Sequence, residues 1–177
     1  MQKRLLLDSS QIEITIRRLC HQLIENHDDF TNSAVIGIQP RGVYLAGRIQ
    51  KYLLEILKID ALKFGALDVT FYRDDFRRRE IIAPSETKID FLVENLNVIL
   101  VDDVFFTGRT IRAGMDALLD FGRPSKVELL TLVDRRYSRH LPIAPDYIGV
   151  QVDTISSEKV KVQWKEMDGE DAVMLIS

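Results

Sequence analysis

The chain has 177 residues, 46% apolar and 29% charged, which is enough for one ordinary domain with a real core and too little for two. A net charge of −3 gives no overall electrostatic pull toward nucleic acid or a membrane surface, although a local basic patch is still allowed. Cys20 is the only cysteine, so no internal disulfide can form and a zinc cluster has almost nothing to build with. No run approaches the roughly 20 apolar residues of a membrane span, and Leu5-Leu6-Leu7 is too short for a signal peptide. These features predict a soluble, cytoplasmic protein.

Taken in order, Asp8 to Glu13 reads as a helix start. Ser10 with Glu13, or Asp8 with Gln11, would each form a capping box. Ile12, Ile16, Leu19 and Leu23 then recur at helical spacing and define one buried face. Arg17, Arg18 and His21 fall on or near the other side, where a solvated helix face is the simple reading. Cys20 reads as a small buried side chain. Ala34 to Ile38 is a short apolar run, a buried strand that stops at Gln39-Pro40-Arg41-Gly42. A helix follows through Leu57, with Val43, Leu45, Ala46, Ile49, Leu53 and Leu54 apolar. Pro40-Arg41-Gly42 therefore sits at the carboxyl end of a strand, where open α/β sheets bind ligands.

Leu62 to Tyr72 alternates in a way that predicts a long strand. The charge run Arg73 to Glu80 and the segment Pro84 to Lys88 follow without apolar periodicity, which predicts a binding loop or lid over about residues 73–90. Within it Arg77, Arg78 and Arg79 read as solvated, whereas Arg73 at the hinge is placed to reach a ligand. Val98 to Val101 is a fully buried strand leading to Asp102-Asp103, a short apolar bridge and Thr107-Gly108-Arg109-Thr110. A helix from Ile111 to Phe121 ends at Gly122 and Pro124. Val127 to Val133 is another buried strand, closing with Asp134-Arg135-Arg136. A Pro-rich segment containing a short strand comes next. Two more strand-like pieces, Glu158–Trp164 and Ala172–Ile176, flank a turn at Met167–Glu170. Strands alternating with helices and then a strand-rich end predict an α/β core with a parallel sheet and a small β-rich subdomain.

The stretch Val98–Thr110 carries the chemistry. A strand that delivers carboxylates and a small-residue loop to a helix N-terminus can hold a sugar phosphate. Successive N–H groups take the phosphate, and the acids accept from sugar hydroxyls. Adjacent carboxylates repel, so keeping both ionised needs a cation or several donors nearby. The loop is neither a Walker A motif nor Gly-x-Gly-x-x-Gly. No serine, histidine or cysteine stands in an obvious nucleophile setting. Positioning and electrostatics are what the chain presents, which suits displacement at a sugar carbon with a charged leaving group.

Val98–Thr110 resembles the phosphoribosyl pyrophosphate (PRPP) loop of the type I phosphoribosyltransferases. Gly37–Ala46 is similar to that family's pyrophosphate loop, and Leu67–Asp75 to the start of its flexible loop. Within the family the likeness is to members that make UMP from uracil and also bind pyrimidine leader mRNA. It extends through Arg112–Leu118, Gly122–Ser125, Leu132–Arg135, Asp146–Gly149 and Ser157–Val160. The resemblance implies a central, mostly parallel sheet flanked by helices, with a β-rich hood from the N- and C-terminal segments, all in a single domain over 1–177. It implies that Asp102 and Asp103 bind the ribose hydroxyls, that the loop Phe106, Thr107, Gly108, Arg109 and Thr110 holds the 5′-phosphate, and that Val104 and Phe105 belong to the same PRPP site. Pro40, Arg41 and Gly42 would bind pyrophosphate, in a turn where the family often has a cis peptide. Arg73, counted with the two acids as catalytic, would close over the leaving group, and Arg135 and the backbone near Val160 would border uracil. Mg²⁺ would be held mainly by substrate, without direct protein ligands, and the assembly would be a homodimer or a larger homo-oligomer.

Purine-specific relatives usually carry an acid just before Thr-Gly; Phe106 stands there in this chain and favours a pyrimidine over a purine phosphoribosyltransferase. An RNA face would involve Arg17, Arg18, His21, Arg136 and Arg139. That face departs from the family pattern, with Arg17 and Pro40 where threonines are common and the segment after Arg135 one residue longer. The alternative is an enzyme of uracil salvage without RNA binding.

Overall fold

The apolar run at the centre of the sequence becomes the middle strand of the main sheet, because it is covered on both faces and has no need of polar alternation. The computed structural model describes residues 2–74, 84–155 and 157–177. In chain order the elements are β1 (Lys3–Leu7), α1 (Ser9–His27), β2 (Ser33–Ile38), α2 (Gly42–Leu57), β3 (Lys63–Leu67), β4 (Asn97–Phe105), α3 (Arg109–Leu118), β5 (Lys126–Arg136), β6 (Tyr147–Asp153), β7 (Lys159–Gln163), the single turn α4 (Lys165–Asp168) and β8 (Ala172–Ile176). Strands β3-β2-β4-β5-β6 form a five-stranded parallel sheet, and β1-β8-β7 a separate antiparallel one.

Helices α1 and α2 cover one face of the large sheet. Ile12, Ile16, Leu19 and Leu23 pack with Leu45, Ile49 and Leu53 against Val35, Ile99, Val101 and Leu130, as the periodicity predicts. Helix α3 covers the other face, where Ile111, Ala113 and Ala117 meet Ile36, Val98 and Leu100. The alternation of Val35 and Ile36, or of Ile99 and Leu100, between the two clusters is the period-2 geometry of a strand buried on both sides. The small sheet closes over the α1–α2 side through Val162, Trp164 and Val173. Cys20 is buried there, and its burial pushes the thiol up to about 12. No helix among the described residues is long and apolar enough to cross a membrane.

Three sequence expectations are resolved or corrected. The cap of α1 is Asp8 with Gln11: each side chain accepts from the other's backbone N–H, at 2.8 and 2.9 Å. The strand expected to run to Tyr72 ends at Leu67. Asp68 accepts from both the N–H and the hydroxyl of Thr70, which folds the backbone into a 3₁₀ turn over Thr70–Tyr72. The helix expected to reach Phe121 tightens into a 3₁₀ turn at Leu119–Phe121 before Gly122. Strand β1 was not signalled at all, since Lys3–Leu7 has no alternation and owes its conformation to pairing with β8. Arg77, Arg78 and Arg79 lie outside the described residues.

At the amino ends of the strands, away from the Asp102–Asp103 end, a polar cluster ties α1 to β2, β5 and β6. His27 bonds Ser33 at 2.8 Å and Glu128 at 2.6 Å, while Tyr147 donates to the same Glu128 carboxylate at 3.1 Å. Burial pushes Glu128 upward, but Lys126 and His27 outweigh it and leave the carboxyl below its ordinary range. Burial also carries the Tyr147 phenol up to about 12. Because Glu128 is depressed in the folded chain, its contribution is present above the ordinary glutamate value of 4.5 and fades as pH falls through the folded value. Glu128→Gln should cost about 2–4 kcal/mol at pH 7, as expected for breaking a buried charge network. Denaturant unfolding of the two proteins should give a gap that narrows below pH 4.5.

Candidate active site

The site is built where β4 leaves the sheet. After Phe105, itself buried, Phe106 turns out to partial exposure and Gly108 caps α3 with φ +92°. A side chain at Gly108 would be strained by that angle, although the space beside Leu141 would admit a Cβ at ordinary contact distance. The first hydrogen bond of α3 runs from the Arg112 N–H to the Gly108 carbonyl, so the earlier N–H groups are not used within the helix. They border a cavity of about 320 Å³ lined by Arg73, Asp102, residues 104–111 and His140. The 3₁₀ turn that ends β3 delivers Arg73 to this cavity, where it donates to the Thr110 hydroxyl at 3.0 Å. Arg109 pairs with Asp74 at the rim.

The two acids occupy a desolvated strand end. Burial, and then the Asp103 charge, push Asp102 well above the ordinary aspartate range. Burial also carries Asp103 up to about 6, against pulls from the Val104 N–H and the Arg41 charge. The Asp103 N–H donates to the Asp102 carboxylate at 3.0 Å, which offsets part of the rise. The unliganded pair thus tends to keep a proton, the outcome expected of neighbouring acids with little water and no bound cation. Arg73 acts on Asp102 and Arg41 on Asp103.

The turn before α2 reaches the same strand end. Gln39–Pro40 is a cis peptide. Gly42 lies so close to β4 that an added Cβ would sit 2.4 Å from the Val101 carbonyl oxygen and 3.0 Å from Asp102 Cα, so glycine is required for this approach. Arg41 points toward the small sheet: it donates to the Val162 carbonyl at 2.8 Å and to Asp168 at 3.0 Å. Asp168, held also by the Trp164 N–H and Lys161, lies far below the usual carboxylate range. Nothing in the sequence marks Asp168 as a partner of Arg41; only the closure of the β7–β8 turn over α2 brings them together.

A second cavity of about 230 Å³ adjoins the first, and Phe106 and His140 line both. Arg135 sits on one wall with its guanidinium 3.9 Å from the Phe106 ring centre. It donates to Thr154 at 3.1 Å and to the Glu158 carbonyl at 2.8 Å. Tyr137, Ser138, Arg139, Thr154 and Ile155 also line this cavity; of these Tyr137, Ser138, Thr154 and Ile155 were not singled out by sequence, since they come from loops whose proximity depends on the β5–β6 pairing. The Val160 side chain packs on the α1–α2 core instead, two residues beyond the carbonyl that Arg135 uses.

The five residues considered for an RNA face do not gather in one patch. Arg18 donates to the Gly149 carbonyl at 2.5 Å and Arg136 pairs with Asp153 at 2.6 Å, both on the edge strand β6; His21 is exposed one turn along α1 from Arg18. Arg17 pairs with Glu13 and lies over the Tyr52 ring, toward α2. Arg139 turns inward, with its guanidinium 3.7 Å from the Phe105 ring centre.

Comparison with known proteins agrees with this geometry. The phosphoribosyl transferase domain family matches residues 4–166. In solved structures the fold recurs in a hypoxanthine phosphoribosyltransferase from Staphylococcus aureus, at a TM-score of 0.70 and 19% identity, covering 97% of this chain and 90% of that one. It recurs too in a hypoxanthine-guanine phosphoribosyltransferase from Bacillus anthracis, at a TM-score of 0.72 and 18% identity over 98% of each chain. The chain is a phosphoribosyltransferase of the type I fold. It is 46% identical over 171 residues to the bifunctional protein PyrR of Picosynechococcus sp., covering 97% of this chain and 96% of that protein. It is 43% identical over 177 residues to the PyrR of Actinobacillus pleuropneumoniae serotype 5b, covering 98% and 97%. It belongs to the PyrR family.

The raised acids have a stability consequence with a definite sign. Asp103 is raised in the folded chain, so its folding contribution is most favourable below the ordinary value of 3.8 and is lost as pH rises through about 6. Asp103→Asn should therefore stabilise the unliganded protein at pH 8, by up to about 3 kcal/mol if the whole shift is relieved. Thermal melts at pH 8 and pH 4 should show the gain at the higher pH only.

Proposed function

We propose that this protein transfers the phosphoribosyl group of PRPP to uracil, giving UMP and pyrophosphate. The observation that carries the reading is the pair of adjoining cavities with Phe106 between them: one lined by the loop 104–111, Arg73 and Asp102, the other by an aromatic ring and an arginine. The loop 104–110 takes the 5′-phosphate. Asp102 and Asp103 accept from the ribose hydroxyls, and gain in those donors what the unliganded strand end lacks. Arg73 and the Pro40-Arg41-Gly42 turn receive the charge of pyrophosphate as the C1′–O bond breaks and N1 of uracil bonds to C1′, the N1 proton passing to the departing pyrophosphate. Arg41 would exchange Asp168 for pyrophosphate. Uracil lies against Phe106 and Arg135, with the backbone before Val160 at its edge. Phe106 offers no acidic proton to a purine ring, which favours the pyrimidine.

Mg²⁺ fits this donor set as a substrate-held ion. Among the described residues no three His, Cys, Asp or Glu side chains cluster to hold a metal, whereas two acids beside a diol and a pyrophosphate can share one. When bound, the ion neutralises charge on the leaving pyrophosphate. Purified protein with uracil, PRPP and Mg²⁺ should form UMP, and hypoxanthine should give no nucleotide. Arg73→Ala should lower kcat by about 10²-fold, the scale of removing one preorganised charge; absence of UMP with the wild type would overturn the reading.

The second activity is UMP-responsive binding of pyrimidine leader mRNA by a dimer or larger homo-oligomer. Membership of the PyrR family supports it, as does the placement of Arg18, His21 and Arg136 along the β6 edge. Phosphate contacts make such binding salt-dependent. Salt-titrated binding of leader RNA should tighten with UMP, and Arg18→Glu with Arg136→Glu should weaken it while UMP formation stays at the wild-type rate. Equal RNA affinity with and without UMP would leave salvage as the sole activity.

A further inference from the structure

The segment after β5 was read from sequence as part of a basic RNA face, yet its central arginine is committed elsewhere. Only 25% of the Arg139 side chain is exposed. Its guanidinium donates to the Phe106 carbonyl, to the Arg135 carbonyl at 3.0 Å and to the Asp134 carboxylate, and it stacks on Phe105. Gln151 also donates to Asp134, at 3.3 Å, so the carboxylate is anchored from β6 as well. One residue on, the His140 and Leu141 N–H groups donate to the Thr107 carbonyl at 3.0 and 3.3 Å.

These contacts act on two consecutive peptide planes. A trans peptide is planar, with its C=O and N–H pointing in opposite directions. Fixing the Phe106 carbonyl therefore fixes the Thr107 N–H, and fixing the Thr107 carbonyl fixes the Gly108 N–H. Both N–H groups belong to the loop that borders the larger cavity. Donors held before a ligand arrives need no reorganisation when charge appears opposite them, and this is how a backbone cradle gains strength. The carbonyls could be satisfied by water without Arg139, but water would not hold the planes in one orientation.

We propose that Arg139 is a positioning residue for the 5′-phosphate cradle: by clamping the Phe106 carbonyl against Asp134 it aims the Thr107 N–H at the phosphate. The inference rests on the reading of residues 104–110 as the phosphate loop.

Titration calorimetry with UMP and with uridine, which lacks the 5′-phosphate, separates the possibilities. Wild-type protein should prefer UMP strongly; if it does not, the phosphate-loop reading and this inference fall together. Arg139→Met should weaken UMP on the order of tenfold, the scale of one misplaced charge-assisted donor, while uridine stays within about twofold. Arg139→Lys, which can still reach one carbonyl, should recover part of the loss, and KM for PRPP should rise more than kcat falls. Should the Met variant fail to fold, Asp134→Asn loosens the guanidinium and should give a smaller loss confined to UMP. Equal weakening of UMP and uridine, or an unchanged UMP affinity in a folded variant, overturns the assignment.

Discussion

Two adjacent carboxyls at the end of a strand buried on both faces form the constraint around which the rest of the site is arranged. Strand β4 has apolar neighbours on either side up to Val101, so Asp102 and Asp103 emerge where water is scarce. Their upward shifts record the cost of that position. Each is offset from a different direction. Arg73 comes from the turn after β3, Arg41 from the turn before α2, and the close approach of Gly42 brings the second of these within range. A strand end so equipped has little to neutralise its acids besides these two arginines and a few backbone donors.

The arginines of α2 connect this strand end to the small sheet. Arg41 at its start is held by Asp168, and Arg48 further along is held by Glu166 and Asp171 while lying over the Trp164 ring. The β7–β8 connection is thereby latched to the helix whose first turn reaches the acids. Any anion that took Arg41 would have to compete with Asp168, the partner that seats the small sheet. On the opposite side, the loop after β5 holds the Phe106 and Thr107 carbonyls through Arg139, His140 and Leu141. Strand pairing, more than any local signal, makes these loops neighbours.

The family relationship and the fold relationship say different things about the base. Solved hypoxanthine phosphoribosyltransferases share the architecture at under 20% identity, which establishes the scaffold and leaves the ligand to the site. Sequence identity above 40% over nearly the whole chain ties this protein to PyrR relatives instead. Phe106 is where the two comparisons meet: it is the shared wall of both cavities and the ring that carries Arg135.

The sequence by itself determined the elements whose signal is local. The apolar runs of β2, β4 and β5, the helical spacing of Ile12, Ile16, Leu19 and Leu23, and the strand–acids–Thr-Gly motif all survive in the structure because burial pattern and turn chemistry are set within a few residues. The turn Pro40-Arg41-Gly42 after a strand and the position of Arg73 at the hinge of the following loop were legible for the same reason. What only the tertiary structure decided depends on contacts between distant segments. The pairing of β1 with β8, the capture of Arg41 by Asp168 and the inward turn of Arg139 each join groups that no periodicity relates. An arginine in a sequence carries its charge but not its partner. Whether it faces RNA, a phosphate or a neighbouring carbonyl is settled by which strand ends the sheet brings together.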